Sequence, residues 1–286
     1  MPELPDVAVY CEALGRHYTG RTIEKLELKS PFLVRSFEPD LSEAIGRRVE
    51  GFSRLGKRIV WHLENDLHLV VHLMIAGRFH RKRAGTKPKG KNDLLAWHFA
   101  SDESRKADTL MLTEASPQKR ASLHVVEDEA ELVVHNPGGL EPLSCSLAEF
   151  RAQLVSRNHT LKRSLTSPRL FSGIGNAYSD EILHAAQLSP IKWTSRLDEE
   201  EIGMLHAATQ QTLSDWVDRL REQCGDGFPE KVTAFHPDMA VHGRFGQPCP
   251  ACQTAIQRIR YASNETNYCP RCQTDGKVLA DRSLSR

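Results

Sequence analysis

The most specific chemical signal in the sequence is a pair of Cys-x-x-Cys knuckles near its C-terminal end. Cys249 and Cys252 form the first knuckle, and Cys269 and Cys272 form the second after sixteen intervening residues. Four thiolates at this spacing can converge on one tetrahedral ion, which is how structural Zn²⁺ sites are built. Because all four coordination positions are then filled, we expect one structural zinc with no position left for a catalytic water.

A second chemical signal is the proline that follows the initiator methionine. Removal of Met1 would expose the secondary amine of Pro2, and a terminal amine has a pKa near 8, well below that of a lysine side chain. At the start of a predicted helix, the positive end of the dipole further favours the neutral, nucleophilic form. Glu3 could move a proton beside it. Proline is also common in the first turn of helices for structural reasons, so this signal alone leaves both interpretations open.

Length, charge and cysteine content exclude several classes of protein. The chain has 286 residues and a formal net charge of +1, which predicts about two globular domains. No apolar run reaches the about 18 residues of a membrane span, and the first residues lack the basic and apolar regions of a secretory signal. Seven cysteines without such a signal indicate a reducing compartment. We therefore expect a cytoplasmic protein with no membrane partner.

Positive charge is concentrated in a few stretches. Residues 78–91 hold seven basic residues and residues 150–179 hold five, and neither stretch contains a carboxylate. Local positive patches on a nearly neutral protein are typical of contact with a polyanion. The alternative is that these stretches are ordinary solvated loops.

The elements that must position these residues change in type along the chain. Val7, Cys11, Leu14 and Tyr18 recur at helical spacing, which predicts a helix over residues 3–18. Short apolar runs between residues 22 and 135 then predict an antiparallel sandwich or barrel, with Glu64-Asn65-Asp66 as a hairpin connection. The runs lie at residues 59–63, 67–73, 94–99, 109–112, 122–126 and 132–134.

After a linker at residues 136–139 the pattern becomes helical. Ser146 and Glu149 form a capping-box signature that opens a helix to about Ser156. Further helices are predicted over residues 176–187 and 198–223. The final segment, residues 235–286, is too small to be held together by an apolar core alone, which fits a metal-stabilised finger.

Five segments, in the same order along the chain, resemble the Fpg/Nei family of base-excision DNA glycosylases, and the resemblance spans essentially the whole chain. The segments are residues 2–7 (PELPDV), 54–58 (RLGKR), 139–143 (GLEPL), 173–181 (GIGNAYSDE) and 242–273 with its four cysteines. The resemblance implies an α+β fold with an N-terminal β-sandwich headed by the catalytic helix, a helix–two-turn–helix unit and a zinc finger. We expect these parts at residues 1–135, 146–230 and 235–286.

The resemblance also implies roles for individual residues. Pro2 is the expected nucleophile; its attack on the anomeric carbon of the sugar gives an iminium ion, which is an electron sink. Glu3 is expected to protonate the ring oxygen of the sugar. Lys57, expected on a strand, resembles the lysine that contacts phosphate and assists proton transfer. Asn176 is expected to cap a helix N-terminus and to hydrogen-bond a phosphate there.

The sequence departs from the family at several DNA-contacting positions. Ile75 stands where the family has a methionine that fills the space left by the extruded base. The later loop that usually adds an arginine and a phenylalanine has Lys119 and Arg120 but no aromatic residue. Asn264 replaces an arginine that grips phosphates, and we hypothesise that Arg260 or Arg258 has taken over that grip. Further basic contacts with DNA are expected, with Arg157 among them.

Taken together, the residues and the resemblance predict a monomeric, bifunctional DNA glycosylase and abasic-site lyase with one structural Zn²⁺. Its expected substrate is double-stranded DNA with a damaged base or an abasic site; the base is excised through a Schiff base on Pro2, and the strand is cleaved by elimination. Two alternatives remain open. One is an abasic-site lyase with little glycosylase activity, and the other is a non-catalytic zinc-ribbon protein that binds damaged DNA.

Overall fold

The computed structural model describes residues 1–230, 236–261 and 264–280, with Tyr261 and Asn264 described by their backbone only. Contacts divide the chain into two compact units. The first comprises Met1–Asn136 and Val217–Val232, and the second comprises Pro137–Trp216 and Thr233–Arg286. Within the described residues, the helices are all too short or too polar to cross a membrane.

The first unit begins with helix α1 (Leu4–Tyr18), which confirms the predicted helix. Its start is fixed by a capping box, in which Glu3 and Asp6 each bond the backbone N–H of the other. Of the apolar stripe predicted from the sequence, Val7, Leu14 and Tyr18 are 0% exposed and Cys11 is partly buried. Helix α1 therefore lies on the core with its N-terminus held in a defined position.

Two four-stranded antiparallel sheets form most of the first unit and confirm the predicted β-sandwich. Their strands are ordered β1-β6-β7-β5 and β2-β3-β4-β8. The ring systems of Trp61 and Trp97, one from each sheet, stack at a centroid distance of 5.0 Å in the core. The strands are β1 (Ile23–Leu28), β2 (Val49–Leu55), β3 (Arg58–Leu63), β4 (Leu67–His72), β5 (Gly77–Arg83), β6 (Asp93–Phe99), β7 (Asp108–Glu114) and β8 (Ser122–Val126).

Two local predictions in the first unit have different outcomes. The hairpin connection is confirmed, because Asn65 and Asp66 join β3 to β4 in left-handed conformations with φ of 62° and 54°. The predicted strand at 132–134 is wrong, since Glu129–Val134 forms a short helix, α2. Asp128 caps this helix by accepting a hydrogen bond from the N–H of Glu131. A local cap thus outweighs the β-propensity of two adjacent valines.

The second unit is helical with a β-hairpin near its end. Helix α3 opens at the predicted capping box of Ser146 and Glu149. Helix α6 belongs to this unit up to Trp216, and its last two turns belong to the first unit. The elements are α3 (Leu147–Val155), α4 (Leu161–Thr166), α5 (Asn176–Ala185), α6 (Glu199–Cys224), β9 (Gln257–Tyr261), β10 (Asn264–Tyr268) and α7 (Pro270–Gln273).

Candidate active site

The start of the chain is buried at the N-terminal end of α1. Pro2 is buried, Glu3 is only 2% exposed, and the N–H of Glu3 donates to the Asp6 carboxylate at 2.8 Å. Burial lowers the pKa of the terminal amine of Met1; Glu3 and Asp6 oppose this shift, while the positive charges of Arg78 and Lys57 add to it. The site therefore favours a neutral amine, the form that can act as a nucleophile.

Asp6, whose charge acts on this amine, also lines a cleft. The cleft has a volume of about 460 Å³ and lies within the first unit, with Val9, Cys224, Phe228 and Glu230 among its lining residues. Burial raises the pKa of Asp6 to about 7, so its carboxyl group is partly protonated near neutral pH. The cleft therefore presents a group that can both donate and accept a hydrogen bond.

Lys57 lies in a turn rather than on a strand, which corrects the prediction for this residue. Leu55 pairs with Arg58, and Gly56 and Lys57 form the two-residue connection between β2 and β3. Gly56 has a φ of 61°, a left-handed conformation that glycine adopts without strain. The turn places the Lys57 charge close enough to lower the pKa of the terminal amine, so the structure brings Pro2, Glu3 and Lys57 together.

His72 is a member of this cluster that the sequence analysis does not predict. It pairs with Arg58 across β3 and β4, and its Nδ1 accepts a hydrogen bond from the N–H of Met74. Burial lowers its pKa to about 4, with contributions from Arg58 and Lys57, so the ring is neutral near pH 7. The pairing register of β3 and β4 brings His72 next to Arg58. That register cannot be read from the apolar run at residues 67–73 alone.

The tight turn between β4 and β5 presents Ile75 to solvent. The Ile75 side chain is 64% exposed although it is large and apolar. Met74 is left-handed at φ 51°, and Arg78 donates hydrogen bonds to the carbonyls of Ile75 and Gly77. A Cβ at Gly77 would lie 2.2 Å from the carbonyl oxygen of Leu73, so only glycine fits there. The backbone is thus built to project Ile75.

The loop between β7 and β8 carries the two predicted basic contacts, and they differ in orientation. The buried carboxylate of Glu114 accepts hydrogen bonds from the N–H groups of Arg120 and Ala121, each at 3.0 Å. The Lys119 amine is directed back toward the Glu114 carbonyl and Asn92. Arg120 is exposed. Of the two, Arg120 is the cation presented to solvent.

In the second unit, Asn176 does not cap its helix, which corrects that prediction. Gly175 occupies the N-cap position and Asn176 is the first residue of α5. Its amide Nδ2 donates instead to the carbonyl of Glu265 in the hairpin at 2.8 Å, and its own carbonyl accepts from Lys162 at 2.7 Å. Glycine at the N-cap frees the asparagine side chain for a contact outside the helix. Arg157 is exposed on the connection between α3 and α4.

The hairpin of β9 and β10 carries an ionic cluster. Glu265 lies opposite Arg260 across the hairpin. One oxygen of its carboxylate is 3.9 Å from Arg260 Nε and 3.3 Å from Arg258 Nη1. The guanidinium of Arg258 lies over the Phe245 ring, whereas the Arg260 side chain is 57% exposed. Asn264 begins β10, and its side chain lies outside the described residues.

The four predicted cysteine ligands meet in the second unit. Their Sγ atoms all lie within 4.8 Å of one another. The Sγ atoms of Cys252 and Cys269 are 3.4 Å apart and those of Cys249 and Cys272 are 3.9 Å apart. Tetrahedral zinc with Zn–S bonds near 2.3 Å places its sulfurs roughly 3.8 Å apart. The donor set therefore fits one structural zinc, as the sequence predicts.

Three family models match the chain in order. Residues 1–114 match the N-terminal domain of formamidopyrimidine-DNA glycosylase, and residues 139–224 match the H2TH domain of the same protein. Residues 246–274 match the zinc finger found in FPG and IleRS. The matched segments include Pro2, Asn176 and all four cysteines.

Curated and solved relatives match over nearly the full length. The formamidopyrimidine-DNA glycosylase of Heliobacterium modesticaldum is 33% identical over 96% of this chain and 100% of the relative, and that of Deinococcus radiodurans is 31% identical over 99% and 100%. A solved complex between Lactococcus lactis Fpg and DNA containing an abasic site superposes with a TM-score of 0.83. The two chains are 26% identical, with coverage of 95% and 99% respectively.

Proposed function

Because this chain belongs to the formamidopyrimidine-DNA glycosylase family, we propose that it removes a damaged base from double-stranded DNA through a Schiff base on Pro2. It is a DNA glycosylase of base-excision repair with lyase activity at abasic sites. The observation that carries the proposed chemistry is the environment at the start of α1, where burial, with Arg78 and Lys57 adding to it, lowers the pKa of the Met1 amine despite the opposing charges of Glu3 and Asp6. After removal of Met1, the secondary amine of Pro2 occupies the start of this helix.

In the first step, the lone pair of Pro2 attacks the anomeric carbon of the sugar. The glycosidic bond breaks, its electron pair leaves with the base, and the base takes up the proton that the Pro2 nitrogen loses. Glu3 donates a proton to the ring oxygen as the ring opens, and nitrogen and carbon then share the iminium double bond. A neutral amine is required, which is why its lowered pKa supports this assignment.

In the second step, the iminium ion draws electrons from the neighbouring carbon of the sugar. That carbon loses a proton, a double bond forms, and the bond to the 3′ phosphate oxygen breaks with its electron pair. Lys57 in the β2–β3 turn contacts a phosphate and assists proton transfer. The positive charge of Lys57 stabilises the phosphate that leaves.

We assign the cleft beside Asp6 to the extruded base. A base in a duplex is out of reach of an amine and must be rotated out of the stack. The cleft shares Asp6 with the surroundings of the terminal amine, and the Asp6 carboxyl, with its pKa of about 7, can donate to or accept from the edge of a base. The exposed Ile75 and Arg120 then fill the space that the base leaves in the duplex.

Phosphate contacts in the second unit are assigned to Asn176, Arg157 and the hairpin. The exposed guanidinium of Arg260 takes over the grip that an arginine at position 264 would provide, with Asn264 nearby as a weaker, uncharged contact. We propose functional parts at residues 1–135, 146–230 and 235–286, a monomeric state and a cytoplasmic location. The family's bacterial members support that location.

The decisive experiment is borohydride trapping on duplexes with a damaged base or an abasic site. Protein beginning at Pro2 should form a covalent complex with both duplexes, and protein with one residue added before Pro2 should form none. Protein extended at the C-terminus is the matched control and should trap normally. Undiminished trapping by the blocked protein would assign the nucleophile to a lysine, with Lys57 tested next.

The same experiment separates a second candidate function, an abasic-site lyase with little glycosylase activity. It is favoured by the loop at residues 116–122, which has no aromatic residue to hold the duplex open after base extrusion. Trapping on abasic DNA alone, across a panel of duplexes with one defined lesion each, would establish that function. Trapping on any damaged base would reject it.

A further inference from the structure

His184 lies against the cysteine cluster without being one of its four members. It is in the last turn of α5, and its Nε2 is 3.3 Å from the Sγ of Cys249. Cys249 is fully buried and His184 is half-buried. A contact of this length between a ring nitrogen and sulfur is a hydrogen bond when one of the two atoms carries the proton.

The metal decides which atom is the donor. A cysteine that binds zinc is a thiolate and has no proton to give, so the hydrogen must lie on Nε2 of His184. We propose that His184 is a positioning residue of the zinc site, donating its Nε2–H to the Cys249 thiolate and thereby tying the end of α5 to the metal. The tautomer of the ring is fixed by the same bond.

The charge of the site explains why a donor is useful here. Four thiolates around one Zn²⁺ leave a net charge of −2, and Cys249 and Cys269 are both 0% exposed. Buried negative charge is stabilised by hydrogen bonds from nearby N–H groups. Partners in this outer layer typically change metal affinity by about 10- to 100-fold. An imidazole N–H directed at Cys249 meets that need.

His184 is also the last member of a polar stripe on α5. Asn176, Asp180 and His184 are four residues apart and therefore share one face of the helix. Asn176 donates to the carbonyl of Glu265, and Asp180 accepts from the N–H of Asn267 at 3.1 Å. Each member thus holds a different part of the finger. The contact of His184 with Cys249 sets the metal end of this docking, as the other two set the hairpin end.

The test uses the full-length protein with Co²⁺ or ¹¹³Cd²⁺ in place of zinc. In the cadmium form of the unmodified protein, we expect scalar coupling between the metal and the Nε2 proton of His184 through the N–H···S bond. In the cobalt form, His184→Phe should move the thiolate-to-cobalt charge-transfer band to lower energy, because an unbonded thiolate gives up its electron more readily. His184→Gln, which keeps an N–H at this distance along the side chain, should restore much of the shift.

Zinc transfer to a chelator gives a second measure, with release from His184→Phe faster by about tenfold or more. His206→Phe is the matched control, since His206 is also half-buried in this unit but bonds the carbonyl of Cys145, which is not a ligand. His206→Phe should leave the charge-transfer band and the rate of zinc release unchanged. If His184→Phe releases zinc faster but its charge-transfer band does not move, His184 acts through packing and the proposal is wrong. If His184→Phe fails to fold, the unmodified protein still decides: absence of the coupling between the metal and the Nε2 proton would overturn the proposal.

Discussion

The carboxyl group of Asp6 is the residue whose environment has the clearest thermodynamic consequence. Burial raises its pKa from 3.8 to about 7 in the folded protein, so the folded state binds a proton that the unfolded chain releases above pH 4. The stability that this proton confers is complete below pH 4 and is lost as the pH rises toward 7. Relative to a neutral side chain of the same shape, Asp6 therefore becomes steadily less favourable over that range.

Asp6→Asn removes this titration and keeps an oxygen that can accept from the N–H of Glu3. Between pH 5 and pH 8 we expect the unfolding free energy of the natural protein to fall by about 2–3 kcal/mol relative to the variant. Denaturant titrations of both proteins at several pH values provide the measurement. A difference that is constant with pH would show that Asp6 is ionised throughout.

Arg260 is the second residue with a sharp expectation. If it grips a phosphate beside the extruded nucleotide, Arg260→Ala loses a charged hydrogen bond of about 1.5–3 kcal/mol, so single-turnover cleavage should slow about tenfold or more. Asn264→Ala should cost clearly less, because an amide offers no charge. If Asn264→Ala instead slows cleavage strongly and Arg260→Ala leaves the rate unchanged, position 264 contacts the substrate directly.

At the scale of elements, the turn between β4 and β5 leaves no room for a side chain at Gly77. Gly77→Ala would place a Cβ 2.2 Å from the Leu73 carbonyl, and backbone cannot move aside cheaply. We expect a loss of roughly 2 kcal/mol or more of stability. Gly51→Ala on β2 is the matched control, since nothing lies within 4 Å of its added Cβ. Thermal unfolding of both variants provides the measurement. An equal loss of stability in Gly77→Ala and Gly51→Ala would show that the turn relaxes to accommodate the added Cβ.

The elements also show what the sequence could predict. Helix α1 was predictable because its apolar residues repeat at the helical period, and β3, β4, β6, β7 and β8 because each is a short, largely apolar run. The strands β1, β2 and β5 were missed, since they mix charged and apolar residues without a clean alternation. Helix α2 was predicted as a strand because its valines outweighed the Asp128 cap in a reading by propensity.

Contacts between distant segments account for the rest of the candidate site. The four cysteines were recognisable from their local spacing, and Pro2 and Glu3 from the resemblance of the first residues to the family. The approach of Arg78 and His72 to the terminal amine depends on strand register, and the bond from Asn176 to Glu265 joins residues 89 positions apart. No local sequence pattern indicates either contact, so both are known only from the folded structure.

For the whole molecule, the expected footprint on DNA is electrostatic although the net charge is only +1. The candidate phosphate contacts Lys57, Arg157 and Arg260 predict that log affinity falls with log salt with a slope of roughly −2.7 or steeper. Arg157→Ala should make the slope shallower by about 0.9. Arg151, already paired with Glu199 at 2.7 Å, is the control whose replacement should leave the slope unchanged. DNA-binding titrations over a range of salt concentrations provide the measurement. A slope that corresponds to only one or two phosphate contacts would reject this footprint.

The buried start of the chain also imposes an order of events on biosynthesis. Pro2 is buried and Met1 is half-buried once α1 is in place. An aminopeptidase needs an extended, accessible terminus, so it must act on the nascent chain while it emerges from the ribosome. A molecule that folds first keeps its methionine and has no free proline amine. The active fraction made in a cell should therefore track the capacity of its aminopeptidase at the time of synthesis, and later treatment of the folded protein should recover little.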